Sequence, residues 1–271
     1  AVGNWFSIPG YSVLKQYRST GVCSWQYQCL ISCALLLLSL TATFSVAAIR
    51  TVDADGGSSY ATVLAALNSA SSGDTIYIQG SDIDTYSEDW SNVNIGDVTI
   101  RGASTNPDRF PILAISNWTN WWNNKTGTRK FERVVLSNCA TIPLQNNGKY
   151  IVMDKCVVKS YTSPVFDFTN FNQNNAVTIT NTIFFNNSTT IFPAITANRN
   201  SIIGTVFNST FYNNTTVNAD NPAVSDTSRT LKIINSIFNS NTTNITGTYL
   251  KAICSYNLTN ESSGWGTGSV Y

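Results

Sequence analysis

"VTITNTIFFNNSTT" (177–190) is the stretch that decides the fold, because the chain repeats it twice more without a gap. "GTVFNSTFYNNTTV" (204–217) begins 27 residues later, and "LKIINSIFNSNTTN" (231–244) begins after another 27. Each copy keeps an Asn, a hydroxyl residue, a Phe and a second Asn at the same spacing. A fixed interval of this length is typical of a solenoid whose successive coils stack on one another.

The shared positions predict two ladders of stacked side chains. The first Asn of each copy can adopt the left-handed conformation of a turn, and its amide can hydrogen-bond from coil to coil. These turn residues are Asn181, Asn208 and Asn235. The aromatic residues are predicted to stack in the core, as like residues do on parallel in-register strands. They are Phe184, Phe211 and Phe238.

Weaker copies precede these three and bring the total to about seven. They are "TIYIQGS" (75–81), "VTIRGAS" (98–104), "VVLSNCA" (134–140) and "IVMDKCVV" (151–158). Alternating apolar residues in each copy predict a short strand with one buried face. Such a unit cannot bury a core alone, but stacked coils can, so the sequence predicts an all-β, right-handed parallel β-helix of roughly seven coils. The spaced-leucine pattern of leucine-rich repeats, the main rival at this length, is absent.

The segment "SYATVLAALNSASSGDTIYIQG" (59–80) resembles the opening of pectin-lyase-like right-handed β-helices. In that superfamily an amphipathic helix caps the open end of the solenoid, and a Gly-Asp turn leads into the first coil. The resemblance implies a capping helix near 60–70 and a turn at Gly73–Asp74. The residues agree, since Tyr60, Val63, Leu64 and Leu67 share one helical face and Ser58 or Ser59 is placed to cap it.

The Phe-x-x-Asn copies resemble the repeats of polymorphic-outer-membrane-type β-helix proteins, although the Gly-Gly pair common in that family is missing here. Together the two resemblances cover about residues 50 to 255. They imply a fold that hosts lyases, hydrolases, adhesins and phage spikes, so they say little about activity.

The amino-acid composition argues against several classes of function. Only 11% of residues are charged, against roughly 25% in an ordinary soluble domain, and the net charge of +1 predicts no nucleic-acid partner. The chain has no histidine, which excludes His-based nucleophilic pairs and the commonest transition-metal ligand. No cofactor and no metal site are predicted.

The N-terminal residues 1–48 are predicted to be a targeting segment, and 49–271 the β-helix domain. A basic flank with Lys15 and Arg18 precedes "CLISCALLLLSLTATFSVAA" (29–48), and small residues before Ala48 suit signal-peptide cleavage. The alternative is a membrane anchor, because about 20 apolar residues span a bilayer. Both interpretations predict a secreted or cell-surface protein. At the other end, "SSGWGTGSVY" (262–271) contains no capping element, which predicts further chain or end-to-end association with another chain.

The second Asn of each copy has two interpretations. Asn187, Asn214 and Asn241 lie in Asn-x-Ser/Thr motifs, which are N-glycosylation acceptors, but a buried ladder residue cannot carry a glycan. Both interpretations stay open for these three. The favoured acceptors are Asn117, Asn124 and Asn257.

Two cysteines are placed by the same alignment. Cys139 and Cys156 fall on neighbouring coils, where a stacked pair of buried thiols is favoured over a disulfide. In-register parallel residues suit the torsion of the bridge poorly.

Candidate site residues are few. Glu132 and Asp154 are predicted on adjacent coils with Asp167 nearby, and such carboxylates could serve acid–base chemistry, although scattered surface charge is favoured. The acidic stretch "SDIDTYSEDW" (81–90) matches no standard Ca²⁺ loop, so a solvated loop is favoured there.

The insertion "NWTNWWNNKTGTRKF" (117–131) carries three indoles without apolar periodicity. Trp118, Trp121 and Trp122 are candidates for stacking on sugars, and the alternative is packing against the solenoid. We therefore predict a non-catalytic β-helix, adhesin-like or a matrix scaffold, with polysaccharide or surface glycans as partner. The alternative is a polysaccharide lyase or glycoside hydrolase, which would require carboxylates converging within about 5–10 Å on an exposed face.

Overall fold

The structure, a computed structural model, describes the parts of the chain that form most of the predicted coils. The described residues are 46–79, 84–118, 126–143, 149–167, 175–188, 202–215, 231–241, 255–256 and 258–259. The chain divides into two compact units, Ala1–Val46 and Ala47–Tyr271. Nearly all of the predicted targeting segment 29–48 lies outside the described residues and stays a prediction. In the ranges that are described, no helix has the length and apolar character needed to span a membrane.

Short strands make up most of the regular structure. In chain order they are β1 (Ile49–Val52), β2 (Thr75–Ile78), β3 (Thr85–Asp89), β4 (Val98–Gly102), β5 (Ile112–Asn117), β6 (Gly127–Glu132), β7 (Val135–Ser137), β8 (Ile142–Pro143), β9 (Lys149–Asp154), β10 (Val157–Lys159), β11 (Phe166–Asp167), β12 (Asn175–Thr180), β13 (Ile183–Phe185), β14 (Ile202–Phe207), β15 (Thr210–Tyr212), β16 (Leu231–Ile234), β17 (Ile237–Asn239) and β18 (Leu258–Thr259). Sheet A has the order β1-β2-β4-β6-β9-β12-β14-β16, and sheet B has the order β3-β5-β7-β10-β13-β15-β17-β18. Sheet C pairs β8 with β11.

This strand order is that of a parallel β-solenoid. The chain passes from sheet A to sheet B and back, and each strand pairs in parallel with its counterpart one coil away. Residues that the 27-residue sequence repeat aligns are the residues that pair on neighbouring strands, since Val177 pairs with Gly204 and Gly204 pairs with Leu231. The predicted all-β parallel β-helix is confirmed. Parallel crossovers are right-handed in nearly all proteins, so the predicted hand is the expected one.

From β6 to β17, two corners of each coil turn on a residue in the left-handed conformation. At the first corner, between sheets A and B, these residues are Arg133, Lys155, Asn181, Asn208 and Asn235, with φ between 51° and 56°. The predicted turn ladder is present there, because the Asn235 side-chain amide donates to Asn208 Oδ1 and that of Asn181 donates to Asp154 Oδ1 at 2.8 Å.

The hydroxyl residue after each first-corner Asn points into the core. The Oγ of Ser209 accepts the backbone N–H of Thr182 at 3.3 Å, and that of Ser236 accepts the N–H of Ser209 at 3.2 Å. These side chains satisfy donors that the turn would otherwise leave buried and unpaired.

The predicted core ladder of aromatic rings is also present. The ring centroids of Phe184 and Phe211 lie 4.8 Å apart with an interplanar angle of 2°, and those of Phe211 and Phe238 lie 4.5 Å apart at 1°. The separation matches the spacing of about 4.8 Å between neighbouring strands, so the backbone ladder sets the stack.

The two cysteines do not stack on each other, so the predicted pair is wrong. Cys156 lies at the first corner and donates its backbone N–H to Thr182 Oγ1 at 3.3 Å. Cys139 follows Asn138, which is left-handed at the second corner of its coil. In each case the buried cysteine follows a residue in the left-handed conformation, Asn138 before Cys139 and Lys155 before Cys156. The two corners therefore have similar local sequences. Both thiols are free and buried, and burial raises the pKa of Cys156 to about 12.

Helix α1 (Val63–Ser69) packs on β1, β2 and β3, the first strands of sheets A and B, as the predicted capping helix should. The helix begins later than expected. Its N-cap residue is Thr62 and not Ser58 or Ser59, and the Thr62 Oγ1 accepts the Ala65 N–H at 3.1 Å. The Glu88 carboxylate adds a second cap, which sequence spacing could not show. It accepts the N–H groups of Val63 and Leu64 at 2.9 and 2.8 Å.

The predicted turn before β2 is built around a buried carboxylate. Gly73 has φ +96°, a conformation that favours glycine, and Asp74 is 1% exposed. Asp74 accepts the backbone N–H groups of Ala48 and Ser71 and the Nε–H of Arg50, at 2.8, 2.9 and 2.8 Å. Burial alone would raise the pKa of Asp74, but these donors outweigh it and hold that pKa below its ordinary value of 3.8.

We expect Asp74→Asn to lower the free energy of unfolding at pH 7 by about 2 kcal/mol, because an amide NH₂ would face donors that now meet a carboxylate. The unfolded chain takes up the Asp74 proton at a higher pH than the folded chain. The contribution of Asp74 is therefore complete above its ordinary pKa and is lost as pH falls through the lower folded pKa. Urea unfolding of both proteins between pH 2 and 7 should show curves that converge at the acidic end. A difference that is constant with pH would contradict this account.

Candidate functional site

The outer face of sheet A carries two straight rows of side chains, because alternate residues of a strand face outward and the strands are in register. One row is Tyr77, Arg101, Glu132, Asp154, Thr180, Phe207 and Ile234. The other is Thr75, Thr99, Lys130, Val152, Thr178, Thr205 and Lys232. The predicted neighbourhood of Glu132 and Asp154 is confirmed, since the two are directly paired.

Glu132 is surrounded by three cations. Its Oε2 lies 2.9 Å from Arg101 Nη2 and 2.9 Å from Lys130 Nζ, and its Oε1 lies 3.3 Å from Arg133 Nη2. Arg101 lies on β4, Lys130 lies on β6 together with Glu132, and Arg133 is the first-corner residue that follows β6. We call Arg101, Lys130, Glu132, Arg133 and Asp154 the charged patch.

Asp154 is held by neutral groups of the next coil. Its Oδ1 accepts the Thr180 hydroxyl and the Asn181 side-chain amide, both at 2.8 Å. The carboxylate thus joins the charged patch to the turn ladder, and its place in the row is fixed by two hydrogen bonds.

Both carboxylates of the charged patch favour the ionised form. Burial alone would raise the pKa of Glu132, but hydrogen bonds from Lys130 and Arg101 and their charges lower it. Burial opposes ionisation of Asp154 too, yet the hydrogen bonds from Asn181 and Thr180 lower its pKa. A general acid must carry a proton near neutral pH, so the geometry suits charge pairing better than proton donation.

The other predicted carboxylate lies elsewhere. Asp167 is in β11 of sheet C, whereas Glu132 and Asp154 are in sheet A. The structure therefore does not place Asp167 in the row with the other two.

The structure corrects the assignment of Trp118 to sugar binding. Trp118 is 1% exposed, its Nε1–H donates to the Ala140 carbonyl at 2.8 Å, and its ring meets those of Trp90 and Phe131 edge to face. An indole enclosed in this way cannot offer a face to a glycan. Trp121 and Trp122 lie outside the described residues and stay predictions.

The second-corner asparagines are ladder residues. Asn187 and Asn214 are 1% and 4% exposed. Asn214 Oδ1 accepts both the backbone and the side-chain amide of Asn187, and Asn241 Oδ1 accepts the same two groups of Asn214, all at 2.9 to 3.1 Å. Burial excludes a glycan on Asn187 or Asn214 in the folded chain. Asn117 is half-buried at the end of β5 and stays a candidate acceptor, while Asn124 and Asn257 lie outside the described residues.

The sequence prediction did not include Arg101, which pairs with Glu132 in the charged patch. The repeat did contain a signal, because Arg101 holds in β4 the position that Glu132 holds in β6. The next residue, Gly102, shows how closely these coils pack at the corner. A Cβ on Gly102 would lie 2.2 Å from the Arg133 carbonyl oxygen.

Comparison with protein-family models, with curated proteins and with solved structures found no match.

Proposed function

We propose that this chain is a non-catalytic secreted or cell-surface β-helix protein, an adhesin-like or matrix scaffold that binds acidic polysaccharide through the charged patch. The observation that carries the proposal is that Arg101, Lys130 and Arg133 converge on the single carboxylate of Glu132. Lys155 follows Asp154 at the next corner, so four cations outnumber two carboxylates. Guanidinium groups recognise carboxylate and sulfate groups through paired hydrogen bonds.

The shape of the surface supports an extended ligand. The rows on sheet A run along the solenoid, with one residue per coil every 4.8 Å or so. Beyond the charged patch, one row continues through Thr178 and Thr205, whose hydroxyl groups can hydrogen-bond to a sugar chain.

The repeats themselves support a scaffold. The four ladders of the later coils, one of Phe rings, one of hydroxyl groups and two of Asn side chains, use those side chains for contacts between coils. Asp154 is bonded to the next coil in the same way. These features favour a rigid rod over a reaction centre.

Export and kinship are part of the proposal. The apolar segment 29–48 supports export, and the alternatives of signal peptide and anchor both give a surface or secreted location. The capping helix α1, the Gly73–Asp74 turn and the parallel coils support kinship with pectin-lyase-like β-helices. The stacked Phe-x-x-Asn repeats support likeness to polymorphic-outer-membrane-type proteins.

We expect the protein to bind acidic polysaccharides more tightly than neutral ones, and Arg101→Gln with Lys130→Gln to weaken that binding about tenfold. The test is a panel of plant, algal and microbial polysaccharides, measuring both bound ligand and released products. Lys159→Gln, on β10 of sheet B, is the matched control and should bind like the natural sequence.

Three results would contradict the proposal. Equal binding of neutral and acidic chains would remove the role of charge. If the Arg101 and Lys130 variant binds as the natural sequence does, and changing Trp121 and Trp122 to Ala abolishes binding, the binding site is in the insertion 117–131 instead. Release of cleaved product would replace the scaffold by an enzyme.

The enzyme is the second candidate, and one observation favours it. Glu132 and Asp154 are directly paired on neighbouring strands. Retaining glycosidases need two carboxyl groups about 5 Å apart, and adjacent positions on paired strands can supply them. Loss of cleavage on changing Glu132 to Gln or Asp154 to Asn, with folding intact, would establish this function.

A further inference from the structure

Three carboxylates meet at the N-terminal end of the solenoid. Asp53 and Asp55 lie in the turn after β1, and Asp84 lies just before β3. One oxygen from each lies within 4.8 Å of the other two. In the described part of the chain, neither Asp53 nor Asp55 forms an ion pair with a lysine or arginine, and the nearby Arg50 is bound to Asp74.

The turn that brings two of the carboxylates together is tightly made. The Asp55 N–H donates to Asp53 Oδ1 at 3.1 Å, and the Gly56 N–H donates to the Asp53 carbonyl at 3.3 Å. Gly56 and Gly57 have φ of +90° and +99°, so both positions favour glycine.

A buried hydroxyl approaches the same place from within the protein. Tyr86 and Glu88 alternate with exposed residues along β3, and Asp84, just before the strand, continues the same alternation. Tyr86 is 4% exposed, and its Oη forms no hydrogen bond with a described residue. Buried hydroxyls normally have a partner, and none is present for Tyr86 within the described part of the chain.

Two of the three carboxylates act electrostatically on Tyr86. Burial and then the charge of Asp84 raise the pKa of Tyr86 to about 12, with Asp53 adding to the rise and the Ala54 backbone opposing it. The same interactions place the Tyr86 hydroxyl near the Ala54 backbone and near the Asp84 and Asp53 carboxylates.

The chemistry of the donors selects the ligand. The group offers carboxylate oxygens only, without sulfur or nitrogen ligands, and Asp55 is exposed so that water can complete the coordination. Ca²⁺ takes six to eight oxygen ligands in flexible geometry, whereas Mg²⁺ requires a smaller and more regular octahedron. We propose that Asp53, Asp55 and Asp84 form a Ca²⁺ site that fastens the turn after β1 to the start of β3. The site is independent of the proposed polysaccharide binding.

The assignment differs from a loop site in the acidic stretch 81–90. There, Glu88 caps helix α1 and Asp89 accepts the Ser91 N–H at 2.7 Å, so both have other roles. Asp84 instead meets two residues about 30 positions earlier in the chain, which no local motif could show.

The test is thermal unfolding of the whole chain in EDTA and in 10 mM Ca²⁺, with an Asp53→Asn/Asp55→Asn double variant and an Asp108→Asn control. Asp108 is an exposed carboxylate in a single 3₁₀ turn. We expect Ca²⁺ to raise the melting temperature of the natural sequence and of the control by about 5 °C and that of the double variant not at all. In EDTA the double variant should be at least as stable as the natural sequence, because it lacks the repulsion between carboxylates.

The competing outcomes are distinct. An equal shift in all three proteins, or an equal shift with 10 mM Mg²⁺, would indicate general ionic effects and overturn the site. The absence of a shift in the natural sequence would overturn it as well. Should the double variant fail to fold, titration of the natural sequence and of Asp84→Asn with Tb³⁺ decides. Luminescence sensitised by the aromatic residues, displaced by Ca²⁺ and lost in Asp84→Asn, supports the site, and equal luminescence in both overturns it.

Discussion

Replacing Asn214 with Ala should lower the free energy of unfolding by about 3–5 kcal/mol. Asn214 donates to the Phe184 carbonyl at 3.1 Å and to Asn241 Oδ1 at 2.9 Å, and its own Oδ1 accepts two groups of Asn187. The substitution removes the bond to the Phe184 carbonyl and takes the Oδ1 acceptor away from two donors of Asn187, and each buried polar group left unpaired costs about 1–3 kcal/mol. Equilibrium unfolding in urea, followed by circular dichroism, measures the loss.

The neighbouring residue provides the control. Asn213 is exposed, has φ 51°, and donates to Asn186 Oδ1 at 2.6 Å. Asn213→Gly keeps the left-handed turn without strain and removes only this exposed bond, so we expect a change below about 1 kcal/mol. Equal losses for Asn213→Gly and Asn214→Ala would mean that the buried ladder contributes no more than the exposed one.

A chemical variant separates hydrogen bonding from packing. Asn214→Asp keeps the size of the side chain but cannot donate to the Phe184 carbonyl when ionised, and it buries a charge. Its destabilisation should exceed that of Asn214→Ala at pH 7 and should diminish as the carboxyl is protonated at low pH. If the two variants behave alike at both pH values, shape alone determines the stability of the ladder.

The later coils could be predicted from the sequence because their repeat is free of gaps. With an identical period, like residues necessarily fall in register on parallel strands, so the stack of Phe184, Phe211 and Phe238 followed directly. The burial of Asn214 did not follow, because an Asn-x-Thr motif is the same sequence whether the asparagine faces the core or the solvent. Only the position of the second corner distinguishes the two.

The remaining differences arise where the repeat is weak or the contact is long-range. Cys139 and Cys156 were aligned wrongly because two different corners share one local pattern. Trp118 follows β5 and lies beside two aromatic residues of other segments, and no periodicity in its own loop reveals that pocket. The Asp53, Asp55 and Asp84 cluster likewise depends on how the first coil closes, and pairings across a coil leave no mark on local spacing.

The largest packing effect is expected from Phe211→Ala, with a loss of about 3–5 kcal/mol in the free energy of unfolding. Phe211 is buried between Phe184 and Phe238, and both faces of its ring are in contact. The cavity cannot close readily, because β13, β15 and β17 are held at a fixed spacing by their parallel pairing. Poor relaxation keeps the cost in the upper part of the range for large-to-small substitutions.

The next residue on the strand tests whether this cost comes from the interior. Tyr212 is 40% exposed and stacks on Phe185 at 5.6 Å on the outer face of sheet B. Tyr212→Ala removes an aromatic ring from the same strand and leaves no enclosed cavity, so we expect a loss of about 1 kcal/mol or less. Urea unfolding of both variants gives the comparison. A Phe211→Ala loss no larger than that of Tyr212→Ala would show that the coil collapses around the missing ring, and that strand pairing does not hold the stack open.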